Sequence, residues 1–129
     1  MKPEIVRLIE KAHDCLESAD LNFREDFFDA AVNRSYYGIF DMVTALLLAQ
    51  DVTVKSHSGA IQQFAQYYIK TGIFSLELQE HIIYCFQKRQ KGDYDLYSDL
   101  SREEAMSAIS KARVFVSEAE IWLKIMDVE

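Results

Sequence analysis

Four Gly and one Pro in 129 residues leave this chain almost without the residues that make tight turns. A sandwich or barrel needs a turn after every short strand, whereas a few long helices need little punctuation. Half of the residues are hydrophobic and 27% are charged, a globular composition that excludes a disordered or low-complexity chain. The length is that of one ordinary domain, so residues 1–129 are read as a single domain.

Helical periodicity supports this. In the first segment Ile5, Leu8, Ile9, Ala12, Leu16 and Ala19 follow the spacing of one helix face, and Pro3 fits the first turn. A second run, Phe27 to Ala49, is apolar on more than one face and is expected to be the most buried. Ser56 reads as the N-cap of a third helix that carries Ile61, Phe64, Ala65, Tyr68 and Ile69 and stops at Gly72. Ser75 reads as the cap of a fourth, with Leu78, Ile82, Cys85 and Phe86 on one line and its pattern decaying at Lys91-Gly92. An irregular stretch is expected from Gly92 to Leu100. Ser101 and Glu104 then form a capping-box pattern, followed by a stripe at Ala105, Ala108, Ile109, Ala112, Phe115, Val116, Ala119, Trp122, Leu123 and Met126. The expected fold is all-α, an antiparallel up-and-down bundle of four to five helices.

Charge and cysteine usage narrow the function. Fourteen Lys and Arg against 21 Asp and Glu give a net charge of −7, which disfavours a broad nucleic-acid face and leaves DNA out as a partner. A phosphate would have to be met by a local pair such as Arg34 and Arg89. The opening residues Met1–Lys11 are charged throughout, and nowhere do about 18 apolar residues run together. The expectation is a cytoplasmic protein with no membrane partner. Cys15 and Cys85 lie within helical patterns and form no paired motif, so both read as buried free thiols. Asp93, Asp95 and Asp99 lack the rest of a calcium loop, and no metal or cofactor is expected.

The informative residues are polar ones on apolar stripes, because a buried polar group without a partner is costly. Arg34 shares a face with Ala30, Ala31, Tyr37, Gly38 and Asp41. An internal Arg34–Asp41 salt bridge is the plain structural reading, with close packing at the small residues. His57 heads the core stripe of the third helix, where it either caps, is solvated, or serves acid–base chemistry. Arg89 continues the stripe of the fourth, with Asp93 four residues on as an ion-pair partner. Antiparallel packing would bring His57, Arg89 and Asp93 to one end of the bundle. His13 and His81 are expected on solvated or partly buried faces. Tyr36, Tyr37 and Phe40, and Tyr67 with Tyr68, read as core clusters, while Tyr94 and Tyr97 fall outside the stripes and suit base stacking or covering the bundle end.

The block Ala31-Val-Asn-Arg34-Ser-Tyr36-Tyr37-Gly-Ile-Phe40, then Ser56-His57-Ser-Gly, then Arg89-Gln-Lys-Gly-Asp93-Tyr94, resembles the HEPN (higher eukaryotes and prokaryotes nucleotide-binding) family over nearly the whole chain. The resemblance implies a helical bundle, often a homodimer, commonly encoded beside a minimal nucleotidyltransferase in toxin–antitoxin pairs. Many such proteins are metal-independent ribonucleases whose motif is Arg, four to six residues, then His. Arg89 matches the Arg, but Tyr94 stands after four intervening residues and no His follows. Tyrosine, with an ordinary pKa of about 10, is a poor base near neutrality. The resemblance therefore implies a non-catalytic module in which Arg34, Tyr37, Arg89, Asp93 and Tyr94 bind a nucleotide or the chain binds a nucleotidyltransferase partner. The alternatives are an endoribonuclease acting on RNA through Arg89 and His57 in a dimer cleft, and a helical oligomerisation module without ligand. The second helix, apolar on several faces, motivates a homodimer.

Overall fold

The computed structural model describes residues 1–97 and 99–127. The described residues form five α-helices: α1 (Pro3–Arg24), α2 (Phe28–Leu48), α3 (His57–Phe64), α4 (Leu76–Tyr94) and α5 (Arg102–Asp127). A π-helical turn, Ala65–Ile69, continues α3. No strand occurs among the described residues, and none of the described helices is long and apolar enough to cross a membrane.

Local chemistry sets the ends. Pro3 lies in the first turn of α1, where its missing N–H costs nothing. The Phe27 N–H returns to the Asn22 carbonyl and that of Asp26 to Phe23, with Asp26 at a φ of 63°. This is a Schellman stop with Asp in the left-handed position usually given to Gly. The same stop recurs after α2, where Val52 returns to Leu47, Asp51 to Leu48, and Asp51 has a φ of 57°. Two stops made from Asp explain how a five-helix chain manages with four Gly. Ser56 caps α3 as expected, its hydroxyl accepting from the Gly59 N–H at 3.0 Å. The capping box at α5 also forms, with Glu104 N–H to Ser101 Oγ at 3.0 Å and Ser101 N–H to Glu104 Oε1 at 3.0 Å. Ser75 occupies the N-cap position of α4, but its side chain makes no capping bond.

The four long helices alternate in direction. Lys2 at the start of α1 reaches the Leu48 carbonyl at the end of α2, and Lys88 of α4 pairs with Glu104 near the start of α5 at 2.7 Å. α2 lies at the centre, with Ala31, Val32, Tyr36, Ile39, Met42, Leu46 and Leu47 fully buried. Its several apolar faces are covered by α1, α3, α4 and α5 within one copy of the chain. The short α3 runs in the same sense as α2: His57 lies against Tyr36 and Phe40, and Tyr68, further on, donates its hydroxyl to the Leu46 carbonyl. The expected stripe of α5 is buried from Ala105 to Ala119 and at Leu123, while Trp122 is half-buried and Met126 exposed.

Two local expectations are corrected. α4 does not fade at Lys91-Gly92 but continues to Tyr94, because Gly92 lets the helix pack closely on Leu100 and Asp29. A Cβ there would stand 2.9 Å from Leu100 Cδ1. Ser98, within the stretch expected to be irregular, lies outside the described residues. His81 is buried rather than solvated or partly buried; among the described residues its Nδ1 has no partner, and burial pulls its pKa down.

Candidate functional site

Arg89 and His57 do converge, and Tyr36 stands between them. Arg89 is on the buried line of α4, Tyr36 on that of α2, and His57 at the first turn of α3. The Tyr36 side chain is fully buried, and its hydroxyl lies 2.6 Å from His57 Nδ1. Burial pushes the phenol well above its usual range, so the hydroxyl keeps its proton. That nitrogen is its one hydrogen-bond partner among the described residues. The hydroxyl therefore donates, Nδ1 accepts, and a neutral ring carries its proton on Nε2. Burial, then the charge of Arg89, lower the His57 pKa further from neutrality. The ring is also stacked on Phe40, with centroids 4.1 Å apart.

The Arg89 side chain is 7% exposed, and its guanidinium lies in an aromatic enclosure. Its central carbon is 4.8 Å from the Tyr36 ring centroid, 5.6 Å from those of Tyr37 and Phe86, and 5.9 Å from that of Tyr94. These rings offset part of the cost of burying the charge. The expected pair with Asp93 forms at 3.7 Å between NH1 and Oδ2, within ion-pair range but too long for a hydrogen bond. Nε has no partner. A planar five-donor cation is thus held by faces of rings more than by acceptors.

Asp93 is held in turn by Asn33, whose Nδ2 donates to Oδ2 at 3.0 Å. The Asn33 carbonyl oxygen accepts from Arg34 Nε at 3.1 Å and NH2 at 2.9 Å. Asn33 therefore links the two arginines, Arg34 to Asp93 and Asp93 to Arg89. Arg34 also lies over the Tyr37 ring, 5.2 Å from its centroid. The internal Arg34–Asp41 salt bridge does not form. Cys15 sits between them, accepting from Arg34 NH1 at 3.8 Å and donating to Asp41 Oδ2 at 3.7 Å. Seven residues of helix separate Arg34 and Asp41 by about 10 Å of rise, and the guanidinium satisfies itself nearer home. The small residues do permit close packing, since a Cβ on Gly38 would lie 3.4 Å from the Ala12 carbonyl oxygen.

Tyr94 is 75% exposed and closes α4 beside Arg89, whereas Tyr97 is 90% exposed and belongs to no part of this arrangement. His13 is exposed and paired with Glu120. Cys15 and Cys85 are buried and free. Among the described residues no group of His, Cys, Asp and Glu gathers to hold a metal ion. Asn33 and Tyr36 are the site residues that sequence reasoning missed as such. Their signal was their place on either side of Arg34 in the Asn-Arg-Ser-Tyr-Tyr block.

The HEPN domain matches residues 5–122. A protein of Methanocaldococcus jannaschii named "Putative toxin MJ0142" is 38% identical over 95% of this chain and 83% of its own length. Another from that organism, "Putative toxin MJ0605", is 34% identical over 96% and 92%. A UPF0332 protein of Thermotoga maritima is 34% identical over 85% and 83%. With the Arg-x-Tyr-Tyr block, the Ser-His helix start and the Arg89–Asp93 helix end in place in one bundle, the chain belongs to the HEPN domain family.

Proposed function

We propose that this chain is a nucleotide-binding HEPN component that works with a nucleotidyltransferase partner in a toxin–antitoxin type of pair, without catalysing RNA cleavage itself. The observation that carries the reading is Arg89: a buried guanidinium with an unpartnered Nε and its carboxylate at 3.7 Å. Such a fork has donors to spare for a phosphate, and the Tyr37 and Tyr94 rings offer apolar walls to a base or ribose. Asp93 limits the access of an anion to Arg89, and Asn33 holds it there. His57 is poorly placed as a base, since its free nitrogen carries the proton. Calorimetry with AMP and ATP tests this: binding is expected, weakened at least tenfold by Arg89→Ala and less by Tyr94→Ala. Absence of binding to the wild-type chain, together with no co-purifying nucleotidyltransferase, sinks it.

A second reading is favoured by the names of two relatives, which call them toxins. In it Arg89 and His57 cleave RNA, with His57 shifting its proton between nitrogens. RNA cleavage and growth inhibition that disappear with Arg89→Ala and with His57→Ala would establish it over the first. Either reading accommodates a homodimer. The exposed Ile121 and Ile125 of α5, beside Ile73, supply a better motive than α2. Light scattering that gives a strict monomer at micromolar concentration removes the dimer.

A further inference from the structure

We propose that the seam between α1 and α2 carries a second anion site, separate from Arg89, that takes the dianionic group of a phosphate monoester. A depression of about 300 Å³ opens there, lined by Arg7, Lys11, Asp14, Cys15, Ser18 and Arg34. Arg7, Lys11, Cys15 and Ser18 recur at steps of three and four along α1, so they form one stripe beside its buried face. Arg34 faces that stripe from α2.

Three cations in one depression run against the grain of a chain whose net charge is −7. Their charge is also little compensated by contact. Arg34 directs its hydrogen bonds to the neutral Asn33 carbonyl and the Cys15 sulfur. Among the described residues neither Arg34 nor Lys11 has a carboxylate within ion-pair distance. Arg7 meets Glu10 at 3.5 Å with both side chains more than half exposed, an arrangement that binds weakly. The opposing charges are Asp14 on the lining and Asp41 behind Cys15. The Cys15 thiol adds none, because burial and Asp41 push its pKa up. Arg34 supplies the guanidinium hydrogens that Asn33 and Cys15 leave free, Lys11 a movable ammonium and Ser18 a hydroxyl, which together suit tetrahedral oxygens.

The site does not depend on the reading of Arg89. Titration of the full chain with inorganic phosphate, then with AMP, followed by amide and arginine Nε–H resonances, tests it at constant ionic strength. Saturable shifts are expected at Lys11, Ser18 and Arg34 Nε, lost with Lys11→Ala and with Arg34→Gln, retained with Lys11→Arg, and retained with Arg89→Ala. Lys11 is exposed, so its variants keep the fold. Shifts that survive Lys11→Ala, shifts that vanish with Arg89→Ala, or no saturation by either probe overturn the proposal. Failure of the Arg89 reading appears separately, as the lack of a second set of saturable AMP shifts, at Tyr37 and Tyr94, that Arg89→Ala removes.

Discussion

The Tyr36 hydroxyl donates to His57 Nδ1 across 2.6 Å, and this single bond fixes the protonation of the ring. Protonating His57 would put a hydrogen on Nδ1 and leave a fully buried hydroxyl without an acceptor. Nitrogen NMR is expected to show Nδ1 unprotonated and Nε2 protonated near neutral pH. Tyr36→Phe removes the donor and is expected to open Nδ1 to either tautomer, while burial and the Arg89 charge keep the His57 pKa below its ordinary value.

The burial of His57 beside Arg89 has a consequence for stability. The folded pKa of His57 lies below the ordinary 6.5, so the unfolded chain takes up the proton first as pH falls. The stability is fully present above about pH 6.5 and is lost as pH drops through that value toward the lowered folded pKa. His81 is lowered by burial too and acts in the same window. Chemical denaturation of wild type and His57→Gln separates them: the variant is expected to lose less stability between about pH 7 and 5.

Glu104 titrates with the same sense at lower pH. Its hydrogen bond from Lys88, then that from the Ser101 N–H, hold the carboxyl down at about 2. Its contribution is present above the ordinary carboxylate value and is lost as pH falls toward about 2. Glu104→Gln is expected to flatten the acid limb of stability against pH, measured by circular dichroism. Ser101→Ala, which removes the other half of the box, is expected to cost about 1 kcal/mol at neutral pH.

Asp26 sits in the left-handed region, where a β-branched side chain is strained. Asp26→Val is expected to destabilise by about 1–2 kcal/mol. Asp26→Gly is expected to fall within about 0.5 kcal/mol of wild type, because it relieves the backbone but loosens the unfolded chain and loses a surface pair with Arg102. Urea denaturation of the two variants checks both.

Phe115 lies fully buried on α5 against Phe64, ring centroids 5.4 Å apart. Phe115→Ala is expected to cost about 3–5 kcal/mol, read from the same denaturation curves.

The sequence revealed which faces are buried better than how the helices are offset along their axes. The α5 stripe, the caps at Ser56 and Ser101 though not at Ser75, and the meeting of His57, Arg89 and Asp93 were legible because stripes and caps are local, and antiparallel packing brings named helix ends together. Tyr36 was read as core, and it is core; that its one polar atom reaches His57 depends on the height at which α3 docks on α2. Periodicity carries no information about that height. The Arg34–Asp41 pair was expected from a shared face, but a shared face leaves the rotamer open, and Asn33 and Cys15 offered nearer partners. The extension of α4 through Gly92 was hidden because Gly ordinarily marks an end, whereas here it makes room for Leu100.

Because α3 runs in the same sense as α2, residues 49–56 must travel back along α2 before His57 can begin its helix. That return covers about 15 Å of helix, against roughly 26 Å of reach for eight extended residues. The segment acts as a tether with limited slack, and Val52 and Val54 pin it to the core on the way. The placement of His57 is thus gauged by chain length as much as by its neighbours. Removing a few residues from this tether would draw the ring off Tyr36 while leaving the four long helices in register, whereas adding a few would only let the loop bow outward.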